Sequence, residues 1–135
     1  MITSALVCLA LNIYHEARGE PLAGQIAVTQ VVFNRVESPH FPDTICDVVK
    51  QGHYNQQGNV IRNKCQFSWW CDGKSDVPKD TIRWEEALNL ADTMLSSNHY
   101  DIVEGALYYH ATHVKPYWAD HFKKTVTIQN HIFYR

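Results

Sequence analysis

Four residues near the start, Arg18-Gly19-Glu20-Pro21, constrain this chain more than any other feature. Glycine suits the position after a helix, where the backbone turns left-handed, and proline cannot continue one. The four stand between two apolar stretches of helical period, so both sides of the break are helix ends. The first stretch predicts a helix capped by Thr3 or Ser4 and running to about Ala17, with Leu6, Leu9, Ala10 and Ile13 on one face. The second predicts a helix from about Leu22 to Val36, with Pro21 in its first turn. Ile26, Val28, Val31, Val32 and Phe33 spread around it, as in a helix buried on more than one face.

Ser38 to Asp43 reads as a loop, and Asp43 or Thr44 opens a short helix to about Lys50. Gln51 to Lys79 has no sustained period and reads as one long loop, with Gly52, Gly58 and Gly73 and the aromatic run Phe67-Ser68-Trp69-Trp70. A loop of that length in a small domain is functional or disordered, and its aromatics favour function. Asp80 or Thr81 then opens an amphipathic helix to about Ser97, with Ile82, Leu88, Ala91 and Leu95 at helical spacing. Three strand-like runs follow: Ala106 to His110, Thr125 to Ile128 and His131 to Tyr134. The last two flank Gln129-Asn130, where asparagine tolerates the positive φ of a tight hairpin. The class is α+β, mainly helical with a small C-terminal antiparallel sheet, and 135 residues suit one domain, 1–135.

A formal charge of -2, with lysines and arginines scattered among acidic residues, leaves no basic stripe for nucleic acid. No segment approaches the roughly 20 apolar residues of a membrane span. Ala5 to Leu11 lacks the basic start and small-residue cleavage site of a secretion signal, so no export signal is expected in the chain as given. Four cysteines are too few for a disulfide-built scaffold. Cys8, inside the apolar helix, reads as a buried thiol, while Cys46, Cys65 and Cys71 could supply one disulfide of unspecified pairing.

The chemistry centres on Tyr14-His15-Glu16-Ala17-Arg18-Gly19-Glu20. Glu16 falls at the electronegative C-terminal end of an apolar helix, with Ile13 and Tyr14 nearby to exclude water. Both effects raise a carboxyl pKa, as a general acid at neutral pH requires. A surface glutamate ending a helix has the same spacing, and spacing alone does not separate the two. His15-Glu16 opens like a zinc-protease helix motif, but that motif needs a histidine at position 19, where this chain has Gly19. Cys65 or Cys71 with His110 could form a thiol–imidazole pair, although no local pattern joins them. No ligand spacing for zinc is present, so neither metal nor cofactor is expected.

Seven blocks resemble the spore-cortex-lytic-enzyme type of cell wall hydrolase, a family related to lytic transglycosylases. They are Tyr14-His15-Glu16-Ala17-Arg18-Gly19-Glu20-Pro21, Gly24-Gln25-Ile26-Ala27-Val28, Val32-Phe33-Asn34-Arg35-Val36 and Phe41-Pro42-Asp43-Thr44-Ile45. Gln66-Phe67-Ser68, Gly105-Ala106-Leu107-Tyr108-Tyr109 and Asn130-His131-Ile132-Phe133-Tyr134 complete the set, in family order. The resemblance implies a reduced lysozyme-like architecture, with Glu16 as catalytic acid and the β-1,4 bond between MurNAc and GlcNAc as target. It implies a lytic transglycosylase leaving 1,6-anhydro-muramic ends, with a muramidase-type hydrolase as its neighbour.

Gln66, Ser68, Trp69, Tyr109 and His110 are the expected substrate contacts, because a glycan groove wants flat aromatic faces beside hydrogen-bonding tips. Adjacent Trp69 and Trp70 cannot both face the groove, so at least one is expected in the core. Tyr108 and Tyr109 should alternate across a strand. Glu20 suits a cap on the second helix better than a second catalytic carboxylate. The cysteines and tryptophans around Ser68 depart from the spore members, which makes ordinary peptidoglycan the expected substrate. A chain of this kind acts on the bacterial wall as a monomer, either as a phage endolysin or as a bacterial domain with its leader trimmed. An N-acetylmuramoyl-L-alanine amidase and a non-catalytic peptidoglycan-binding module are the rival classes.

Overall fold

The computed structural model describes residues 4–135. Helix α1 spans Ala5–Ala17, and the Ser4 side chain caps it by accepting from the Val7 N–H; the alternative cap, Thr3, lies outside the described residues. Gly19 turns the chain at φ +83°, and α2 follows over Leu22–Glu37. Pro21 is the residue before its first turn, and no side chain caps the helix. Thr44 caps α3, Ile45–Val49, and Asp80 caps α4, Thr81–Ser96.

The stretch expected to be one long loop is shorter than that. It folds a hairpin, β1 Gly52–Tyr54 with β2 Val60–Cys65, and then a 3-10 helix over Ser68–Cys71. Polar, mostly exposed strands such as Val60–Cys65 show no hydrophobic alternation, which is why period alone missed them. In the last third, β3 (Tyr108–Ala111), β4 (Lys124–Ile128) and β5 (His131–Tyr134) form an antiparallel sheet in the order β3-β5-β4. Gln129, not Asn130, takes the positive φ of the tight turn, at +52°.

The core has two parts. The larger gathers Leu9, Ile13 and Tyr14 of α1, Val32 of α2, Val48 and Val49 of α3, Phe67 and Trp69, and Ala87 and Ala91 of α4. The smaller packs Ala27 and Val31 of α2 against Val103, Ala106 and Phe133. On α4 the buried residues are Ala87, Ala91 and Met94; the expected core positions Ile82 and Leu95 are exposed.

Cys8 is no free thiol. It bonds Cys46 and ties α1 to α3, while Cys65 bonds Cys71 and clasps the segment carrying Phe67 to Trp70. Two disulfides replace the single one expected. Gly52 lies so close to the second that a Cβ there would stand 2.8 Å from Cys65 Sγ.

Candidate active site

Glu16 sits in the last turn of α1, one residue before the helix ends. The Tyr109 hydroxyl, from β3, donates a hydrogen bond to Glu16 Oε1 and joins the helical half of the molecule to the sheet. Burial raises the Glu16 carboxyl above its ordinary range; the Tyr109 bond and the Arg35 charge pull it part of the way back. Burial and the neighbouring carboxylate push the Tyr109 phenol well above its usual value, so it stays a donor wherever Glu16 titrates.

Arg35, whose charge acts on Glu16, is the neighbour of the candidate acid that sequence reasoning passed over. It is buried near the end of α2, its Nε donates to the Leu107 carbonyl at 2.8 Å, and its guanidinium lies 4.8 Å from the Phe41 ring and 5.0 Å from the Phe67 ring. A charged residue beside Val31, Val32 and Phe33 was the available signal, since arginine is almost never buried without a partner. Its bond to Leu107 fixes the start of β3, and with it the reach of Tyr109.

His15 stacks on Trp69, with centroids 4.6 Å apart and planes inclined by 17°. A carbonyl can only accept, so His15 donates from Nε2 to the Asp76 carbonyl at 2.9 Å. Tyr14 is buried, and its hydroxyl accepts the Lys79 and Asp80 N–H groups at 3.1 and 3.0 Å. These bonds hang the 72–80 segment on the end of α1. A cavity of about 690 Å³ opens between them, lined by Tyr14, His15, Arg18, Trp69, Asp76 and Lys79 among others.

The expected contacts divide. Tyr109 reaches Glu16, and Trp69 borders the cavity while its ring is largely buried and its Nε1 donates to Asn12 Oδ1 at 2.9 Å. Ser68 is exposed at the start of the clasped 3-10 helix. Gln66 opens onto a different cleft, with Gln51, His53 and Lys64. His110 is turned away from Glu16. The alternation that points Tyr109 toward α1 sends His110 to the opposite face of the sheet, where Nδ1 donates to the Ala111 carbonyl and Nε2 accepts from the Tyr134 hydroxyl, each at 2.7 Å. Tyr108 shares that face and stacks on Phe122 at 4.2 Å. Glu20 caps nothing with its carboxylate, which accepts from Asn130 Nδ2 at 3.4 Å. Arg18 lies over the Tyr14 ring, 4.3 Å from its centroid.

Fold and site together define a small α+β domain built around one shielded carboxylic acid. The chain belongs to the cell wall hydrolase family, whose model matches residues 19–134. Glu16 lies just before the matched stretch, so its role is argued from the geometry. The chain is 49% identical over 102 residues to the spore cortex-lytic enzyme of Bacillus subtilis, covering 75% of this chain and 27% of that protein. It is 51% identical over 41 residues to the spore cortex-lytic enzyme of Halalkalibacterium halodurans, covering 30% of this chain and 12% of that protein. The chain thus spans about a quarter or less of these relatives.

Among solved structures, the catalytic domain of Bacillus cereus SleB matches all of this chain and 93% of its own, with a TM-score of 0.64 and 27% identity. The catalytic domain of the germination-specific lytic transglycosylase SleB from Bacillus anthracis matches all of this chain and 97% of its own, with a TM-score of 0.65 and 24% identity. The fold is that of these domains.

Proposed function

We propose that the chain cleaves the β-1,4 bond between MurNAc and GlcNAc in peptidoglycan as a lytic transglycosylase, with Glu16 as its one acid and base. The observation that carries this reading is the Glu16 carboxyl held by Tyr109, with its pKa raised by burial. Tyr109 donates to Oε1, so in the protonated acid the proton resides on Oε2 and is free to face a substrate.

The chemistry runs in two proton transfers. Oε2–H protonates the glycosidic oxygen as the C1–O4 bond breaks, which frees the GlcNAc hydroxyl and leaves an oxocarbenium-like centre at C1 of MurNAc. The C6 hydroxyl of the same sugar then attacks C1 and returns its proton to Oε2, closing the 1,6-anhydro ring and restoring the acid. Arg35 and the Tyr109 hydroxyl stabilise the carboxylate that exists between the two transfers. Ordinary glycosidases place a second carboxylate opposite the acid. The two groups that act on the Glu16 charge here are a phenol and a guanidinium, which favours the internal C6 hydroxyl as nucleophile.

Trp69 and Ser68, on the clasped loop, border the glycan beside Glu16, and Gln66 reaches a more distant sugar. His110 supports the sheet. Digestion of purified sacculi followed by mass spectrometry of the soluble fragments tests the reaction. Anhydro-muramic ends are expected. Reducing ends would instead require a positioned water and make the protein a hydrolase.

A further inference from the structure

Tyr109 reaches Glu16 with the tip of its side chain, so the set of its ring decides whether that bond forms. Two torsions fix the ring, and a small error in either is largest at the hydroxyl. Among the described residues, the rings that meet Tyr109 are Phe133 and His131, both on β5. Tyr109 stands opposite Phe133 in the register and Ala111 stands opposite His131. His131 is therefore the diagonal neighbour of Tyr109 on the same face of the sheet, within reach of an aromatic side chain. The two rings meet at right angles, with centroids 5.3 Å apart and planes inclined by 88°. Phe133 lies 5.5 Å away, inclined by 37°. An edge-to-face pair has a preferred geometry, so it guides a ring as well as touching it.

The two β5 rings differ in what else they do. Phe133 is fully buried and belongs to the smaller core. His131 is half-buried at the start of β5, and its Nδ1 is buried with no hydrogen-bond partner among the described residues. That nitrogen holds nothing in place; what the side chain presents to Tyr109 is a flat ring. Burial holds the imidazole below its usual pKa, with the Glu20 charge acting against the shift and His110 adding to it, so the ring is uncharged at neutral pH. The titratable groups about it are Glu20 from the α1–α2 turn and Tyr109 and His110 from β3. The turn that carries His131 is itself fastened. Asn130 Nδ2 donates to Glu20 Oε2 at 3.4 Å, and a Cβ on Gly24, in the first turn of α2, would stand 4.0 Å from Gln129 Cγ. The β4–β5 turn thus rests on the turn that follows Glu16.

Resting on the proposed reaction, we infer that His131 is a positioning residue, whose ring holds Tyr109 where its hydroxyl meets Glu16. It acts on the acid through Tyr109 alone.

Titration of the Glu16 carboxyl, followed by NMR of its carboxyl carbon, reads this contact without any turnover. The Tyr109 bond lowers the Glu16 pKa, so Tyr109→Phe should raise it and His131→Ala should raise it part of the way to the same value. His131→Thr, which suits a strand, should do the same. His131→Phe, which restores a flat ring, should return the titration to that of the unaltered protein. In a Tyr109→Phe background, His131→Ala should add nothing. On sacculi, His131→Ala should lower kcat at least about threefold with KM unchanged, because the contact serves the reacting state. A Glu16 titration unmoved by both His131→Ala and His131→Thr would overturn the inference, as would an unchanged kcat. So would a shift that His131→Phe shares, or one that persists without the Tyr109 hydroxyl, because His131 would then act on Glu16 by its own charge. If the titrations behave as expected and the unaltered protein releases no glycan fragments, the positioning role stands and the proposed reaction falls. If anhydro ends appear while the titrations stay fixed, the positioning role alone falls.

Discussion

Burial raises the Glu16 carboxyl above the ordinary carboxylate range, and protein stability depends on pH in consequence. Between the unfolded and folded pKa values the native state binds more protons, so stability falls as pH rises through that window. Below the unfolded value both states are protonated and the penalty is absent. Glu16→Gln keeps an acceptor for Tyr109 without the charge, so it should raise the melting temperature at neutral pH and leave it unchanged in acid; thermal scans at both pH values would show this. Tyr109→Phe removes a bond that lowers the Glu16 pKa. The alkaline limb of kcat/KM should move to higher pH, and kcat should fall about 10- to 100-fold, the worth of one hydrogen bond to a charged group. A pH–rate profile of the purified variant measures both. The place of Glu16 at a helix end was legible because Gly19 and Pro21 mark that end, while its role as an acid came only with the family resemblance. Arg35 was not, because its bond to Leu107 spans 72 residues and leaves no local trace.

The elements carry two disulfides with different duties. Cys8–Cys46 closes a 38-residue separation between two core helices, and chain entropy alone gives it about 4 kcal/mol. Cys65–Cys71 closes six residues, about 2 kcal/mol, and shapes the loop that holds Trp69 against His15. Cys8→Ala with Cys46→Ala should therefore lower the denaturation midpoint more than Cys65→Ala with Cys71→Ala. The second pair should lose proportionally more activity on sacculi. Urea titrations beside turnover rates would separate the two effects. Helices were readable because caps and breakers announce them: Ser4, Thr44 and Asp80 cap as their residue types suggest. The β1–β2 hairpin was not, because its strands are short and mostly exposed, and the burial of Ala87 and Met94 over Ile82 and Leu95 shows that tertiary packing chose the face of α4.

At the scale of the molecule, a hydrogen bond between Glu16 of α1 and Tyr109 of β3 joins the helices to the C-terminal sheet at the proposed acid. The sequence pattern supplied both elements and the alternation of Tyr108 with Tyr109. It could not supply the meeting of residues 93 positions apart; the turning of His110 to the far face follows from that alternation, against which Tyr109 and His110 were both expected in the groove. In the proposed mechanism, cleavage of the glycan depends on Glu16 as its acid. Release of soluble anhydro-muropeptides from sacculi by Glu16→Gln, measured beside the unaltered protein at equal concentration and with folding checked by circular dichroism, tests it most directly. A fall of at least about a hundredfold is expected with the fold intact, the lower end of what general acid–base catalysis contributes. A well-folded Glu16→Gln that still releases anhydro-muropeptides at a comparable rate would contradict it.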